Sequence, residues 1–151
     1  MRKMVLYVIA VVVTGALLSG CPAGSNRVTS REFKTSVERV HALKKYYHPK
    51  TGIIDTEFDI FDVNMNAERS IPGASSRDFK LILYVAPGDI DAWIDTTEIT
   101  SFPVDYNWVF DVSSRLTLQD LQGAVLTMKS EFRSILVLAE KGIVIIRIQE
   151  F

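Results

Sequence analysis

Ile135-Leu136-Val137-Leu138-Ala139, then Glu140-Lys141-Gly142, then Ile143-Val144-Ile145-Ile146-Arg147-Ile148: this stretch near the C-terminus decides the fold. Two apolar runs, each too short for a buried helix, flank a turn that ends in glycine, which is the pattern of a β-hairpin. Neither run alternates apolar with polar residues. A strand that is apolar on both faces has to be covered on both, so this hairpin belongs at the centre of a sheet with other elements above and below it.

Working outward, Phe79, Leu81, Leu83 and Val85 alternate with Ile82 and Tyr84 and predict a strand over residues 79 to 86, stopped by Pro87-Gly88-Asp89. Ile90, Trp93 and Ile94 recur at helical spacing, giving a short helix over residues 89 to 95. Residues 53 to 65 read as a long strand. Its phase changes from Ile54, Phe58 and Ile60 to Phe61, Val63 and Met65, which predicts a bulge near Ile60-Phe61. Residues 66 to 78, with Pro72-Gly73 and Ser75-Ser76, and residues 96 to 104 are loops. Tyr106, Trp108 and Phe110 alternate and predict a strand over residues 106 to 112. Leu118, Leu121, Val125, Met128 and Phe132 fit a helix over residues 118 to 131 behind the cap-like Thr117-Leu118-Gln119-Asp120, although Gly123 weakens it. Residues 29 to 47 read as an amphipathic helix with a capping box at Thr29-Ser30-Arg31-Glu32 and a stop at His48-Pro49. Phe33, Val37, Val40, Leu43 and Tyr47 form its apolar stripe, opposite Arg31, Lys34, Glu38, His41 and Lys45. The expected class is α+β: an N-terminal amphipathic helix and one or two further helices packed on an antiparallel sheet of about five strands, all within one domain over residues 29 to 151.

The other end of the chain carries an address. Arg2 and Lys3 precede an apolar run from Val5 to Leu18, and Leu18-Ser19-Gly20-Cys21 closes it. Fourteen apolar residues span only ~21 Å as a helix, short of the ~30 Å hydrocarbon core, so a cleaved secretory signal fits better than a permanent span. These residues resemble the signal of bacterial lipoproteins, whose lipobox is a Leu, two small residues and a Cys. The resemblance covers the first 21 residues and implies cleavage after Gly20, a diacylglycerol thioether on Cys21 and an acylated amino terminus. It also implies attachment to a membrane through the lipid on Cys21; Pro22 stands where an Asp would signal retention in the inner membrane, so in a Gram-negative host the outer membrane is expected. Residues 21 to 28 would be a short tether.

Composition fits an exported domain. The chain has 151 residues, 48% hydrophobic and 23% charged, which excludes disordered and collagen-like classes. Of 17 basic side chains Arg2 and Lys3 leave with the signal, so 15 face 18 acidic ones and the mature net charge is −3. That balance argues against nucleic acid as a partner. Cys21 is the single cysteine, so no internal disulfide can form.

Catalytic motifs are missing. The sequence has no Gly-x-Ser-x-Gly elbow, no phosphate-cradling glycine loop and no His-Glu-x-x-His helix. His41 and His48 are seven residues apart, ~10.5 Å of helical rise, too far to share a metal with ~2.1 Å bonds. No metal and no cofactor is expected. Asp55, Glu57 and Asp59 recur at spacing two, which places three carboxylates on one face of a strand. They are either a solvated outer face that discourages edge pairing or a surface for a basic partner. Phe102, beside Pro103 in a polar loop, is the best exposed contact candidate, whereas Trp93 and Trp108 are expected in the core. The expected function is therefore non-enzymatic binding of a protein partner in the envelope, as an assembly accessory or an inhibitor or immunity-type protein. A small envelope hydrolase is the alternative, with an acid and base drawn from Asp89, Asp91 and Asp95.

Overall fold

The computed structural model describes residues 27–63, 76–94, 105–122, 124–130 and 132–150. Six strands form one antiparallel sheet: β1 (Arg27–Thr29), β2 (Ile53–Asp62), β3 (Arg77–Val85), β4 (Val125–Ser130), β5 (Arg133–Leu138) and β6 (Ile143–Glu150), in the order β1-β2-β3-β6-β5-β4. The expected hairpin is β5 and β6, and β6 lies inside the sheet between β3 and β5. Its turn is the 3-10 helix Ala139–Lys141 followed by Gly142, whose φ of 63° is the left-handed conformation that glycine adopts without strain.

Both faces of this hairpin are buried, each by a different core. Ile135, Val137, Val144 and Ile146 are 0% exposed on one face, beneath α1 (Ser36–Leu43) and the 3-10 helix Pro87–Trp93. Leu136, Leu138, Ile143 and Ile145 turn to the other face, beneath Trp108, Val109 and Val112 of α2 (Asn107–Val112). Each large aliphatic side chain removed from water contributes ~1.5–3 kcal/mol, and the two-sided hairpin buries eight of them. Among the described residues no helix is long and apolar enough to cross a membrane.

The mixture of helices and antiparallel strands is as expected, but the sheet has six strands rather than about five, because three segments take other forms. Residues 106 to 112 are not a strand. Asp105 accepts a hydrogen bond from the Asn107 N–H at 2.9 Å, and Trp108 and Val112, four residues apart, share the buried face of α2. Residues 118 to 131 are not a helix either. Asp120 accepts from the Thr117 N–H and hydroxyl at 2.7 Å each, but the box closes only a turn, Leu118 is 70% exposed, and Val125–Ser130 pairs with β5 instead. The third change is β1, which pairs Arg27, Val28 and Thr29 with Phe61, Ile60 and Asp59 and so takes two residues expected in the tether into the sheet.

The first helix is shorter than expected for a related reason. The Thr29 N–H does donate to Glu32 Oε1 at 2.9 Å, but that box caps only the 3-10 helix Ser30–Glu32. A second box starts α1: the Glu38 N–H donates to Thr35 Oγ1 at 3.2 Å and the Thr35 N–H to Glu38 Oε2 at 3.0 Å. The stripe shifts accordingly, so Ala42, Leu43 and Tyr47 are buried while Val37 is 77% exposed. The bulge in β2 falls at Ile53/Asp55 and not near Ile60-Phe61, where pairing with β3 continues unbroken to Asp62. Phe61 simply stands beyond the cover of α2, on the same face as Asp59.

Candidate functional site

The acidic ladder lies on β2. Asp55, Glu57 and Asp59 pair across β2–β3 with Tyr84, Ile82 and Lys80, on the face that α2 covers. This is not a solvated outer face, since Glu57 is 9% exposed. Each carboxylate is met by an arginine of the chain itself. Asp55 accepts from Arg39 Nε at 2.9 Å and Nη2 at 2.8 Å, and from Arg115 Nη1 at 2.9 Å. Tyr84 Oη donates to Glu57 Oε2 at 2.8 Å, and Arg115 Nε lies 3.4 Å from Glu57 Oε1. Arg27 Nε donates to Asp59 Oδ1 at 2.7 Å.

The position of Asp55 explains this arrangement. Because β1 pairs only with Asp59–Phe61, the first half of β2 is an edge of the sheet among the described residues. Arg39 comes from α1 on one side and Arg115 from the segment after α2 on the other, and they meet around that edge at one carboxylate. Charged side chains over an edge oppose pairing with another chain. Burial would raise the Asp55 carboxyl, but the hydrogen bonds from Arg39, Arg115 and the Thr56 N–H outweigh it and hold the group below the ordinary carboxylate range. Burial, reinforced by the hydrogen bond to Glu57, pushes the Tyr84 hydroxyl up to about 12. Arg115 also stacks 5.1 Å above the Tyr84 ring. A basic partner approaching the ladder would therefore meet charges already answered from within.

A more open site adjoins it. A cleft of about 430 Å³ runs between α2 and the sheet, with Arg27, Arg31 and Lys80 set against Asp59 and Asp111, and Phe110 on the helix side. Arg31 Nη2 donates to the Asp111 carbonyl, which fixes the rim. The lining holds no Ser, Cys or His. Its chemistry is that of a recognition surface: cations, carboxylates and one aromatic ring within reach of an extended segment. None of its basic residues was legible as a site in the sequence, because Arg27, Arg31 and Lys80 converge only once β1 pairs with β2 and β3 lies beside it.

The remaining candidates are placed as follows. His41 and His48 are both exposed. Asp89 and Asp91 lie on the 3-10 helix Pro87–Trp93. Among the described residues, no group of three or more His, Cys, Asp or Glu is placed to hold a metal ion. Trp93 and Trp108 are core residues, 0% and 5% exposed, and Trp93 Nε1 donates to Thr51 Oγ1 at 3.0 Å. Cys21, Asp95 and Phe102 lie outside the described residues, as does the whole signal segment 1–20. Comparison of the chain with protein-family models, with curated proteins and with solved structures finds no match.

Proposed function

We propose that this chain is a lipoprotein of the bacterial envelope, acylated on Cys21, whose domain acts by binding another protein at the membrane surface. The observation that carries the reading is the complete Leu18-Ser19-Gly20-Cys21 box behind a basic start and an apolar run, followed six positions later by Arg27 and the first strand. One acyl chain gives only marginal attachment, ~10⁴ M⁻¹, and the two or more implied here make it stable.

The cleft beside α2 supports binding as the act performed. Arg27, Asp59 and Lys80 on the sheet, with Arg31 on the 3-10 helix and Asp111 on α2, put three cations beside two carboxylates, which suits an extended, predominantly acidic segment of a partner, with Phe110 available as an anchor. Mass spectrometry of the mature N-terminus tests the anchor: a diacylated and N-acylated Cys21 is expected, and Cys21→Ala is expected to remain unprocessed. Cleavage at another bond overturns it. A photo-crosslinking residue at Phe110 tests the cleft, with His41 on the outer side of α1 as the control. Adducts from position 110 alone are expected, lost in Arg31→Glu/Lys80→Glu; equal adducts from both positions refute the assignment.

A further inference from the structure

The register of the sheet places two half-exposed phenylalanines, Phe61 and Phe132, on one line. Arg27 is opposite Phe61, Phe61 opposite Asp78, and Asp78 opposite Gln149, whose N–H donates to the Phe132 carbonyl at 2.8 Å. At ~4.8 Å per strand this transverse row is ~19 Å long. Phe61 is 37% and Phe132 48% exposed. The row lies at one end of the sheet; among the described residues it is followed there by Asp62 and Val63 of one strand, Ser76 and Arg77 of the next and Glu150, with the Val63 N–H donating to the Ser76 carbonyl at 3.1 Å and Arg77 bridging Asp62 at 3.2 Å and Glu150 at 3.4 Å. Tyr46 and Lys45 border the same end.

The row begins at Arg27, and of the described residues Arg27 is the nearest in sequence to Cys21. Six Cα steps separate it from Cys21, at most about 22 Å of chain at ~3.6 Å per step. The opposite end of β2 is out of that reach: Ile54 stands seven residues from Phe61, a further ~23 Å along the strand. We propose that the end of the sheet carrying Phe61 and Phe132 rests on the phospholipid head-group layer of the bilayer, a placement that depends on acylation of Cys21. Aromatic rings in a frame of lysine, arginine and tyrosine are suited to the membrane–water interface, where an apolar body is buried and polar neighbours stay wet. Arg77 lies between Asp62 and Glu150 and Lys45 stands beside them, two cations to two carboxylates, so contact comes from the rings and does not require an anionic lipid.

Depth-dependent quenching in the full, acylated protein tests this. Phe61→Trp and Phe132→Trp and, as controls, Ile54→Trp at the far end of β2 and Val37→Trp on the exposed side of α1, are reconstituted into phosphatidylcholine vesicles with plain acyl chains or chains brominated near the head group. Relative to the parent, whose Trp93 and Trp108 are buried, the added emission at positions 61 and 132 is expected to fall by half or more in brominated vesicles. At positions 54 and 37 it is expected to stay unchanged. Equal quenching at all four positions, or at none, in protein that floats with the vesicles overturns the placement and leaves the anchor standing. Protein that does not float overturns the anchor, and the placement with it.

Discussion

Replacing Asp55 by Ala is expected to destabilise the fold by about 3 kcal/mol, far beyond the ~0.5 kcal/mol of an ordinary surface change. The magnitude follows from exposure. The Asp55 and Arg39 side chains are each 14% exposed, and without Asp55 the described partner left to the Arg39 guanidinium is the Lys34 carbonyl at 3.5 Å. Hydrogen bonds between charged groups contribute ~1.5–3 kcal/mol when shielded, and the Arg39 pair supplies most of the effect. Arg115 is 47% exposed, so its bond to Asp55 adds no more than ~1 kcal/mol. Urea unfolding of the parent, Asp55→Ala, Arg39→Ala and the double variant measures the loss and the coupling, which should reach about 2 kcal/mol at unchanged m. The pH dependence has a fixed sign. The folded carboxyl is held below its unfolded value near ~3.9, so its contribution is complete above that pH and disappears as pH falls through the folded value. The difference between parent and Asp55→Ala should shrink accordingly in acid. A midpoint shift equivalent to less than ~0.5 kcal/mol, or a difference that is constant from neutral pH into acid, would refute the clamp.

Three further outcomes follow from the same structure. Ile146→Asp, in the strand at the centre of the sheet and 0% exposed, should leave no folded protein at neutral pH by near-UV circular dichroism, because an unpaired buried carboxylate costs several kcal/mol, roughly the whole stability. Gly142→Ala should cost at least about 2 kcal/mol in urea unfolding, since the residue is left-handed and an added Cβ would stand 2.7 Å from the Val85 carbonyl oxygen. In a spectrophotometric titration Tyr84 should ionise only near its raised value of about 12, so Tyr84→Phe should remove the last-titrating tyrosine; loss of an earlier step would contradict the bond to Glu57.

The elements that were legible in the sequence are those whose own residues settle their environment. The β5–β6 hairpin is apolar on both faces, and no fold can hide it other than at the centre of a covered sheet. β3 alternates cleanly and was read within two residues of its start. The misread segments are those where tertiary partners decided between two local patterns. Tyr106, Trp108 and Phe110 alternate like a strand, but Trp108 and Val112 also sit one helical turn apart, and the sheet face above Ile82 accepts the helix. Val125 and Met128 fit a helical stripe, yet β5 offers a free edge to which Val125–Ser130 can pair. The two boxes at Thr29 and Thr35 both form, and the strand that Arg27–Thr29 makes with β2 decides that the second one starts the α-helix. The acidic ladder was visible as three carboxylates on one face. Its meaning was not, because Arg39 and Arg115 lie 16 and 60 residues from Asp55 and carry no local mark of the contact.

The shortness of β1 has a mechanical consequence. Any pull on the chain ahead of Arg27 loads the outermost strand of the sheet first, and that strand is three residues long. It holds to β2 through three paired positions and the Arg27–Asp59 bridge. Neither buried core contains a β1 residue as a full member; Val28 only packs against one of them. Tension would therefore peel β1 away one pair at a time, as a zipper opens, while the other five strands keep their pairing. Released, those residues lengthen the leash by about 10 Å at ~3.5 Å each. The edge strand thus behaves as a fuse between the chain ahead of Arg27 and the domain, yielding length under load before the folded body feels it.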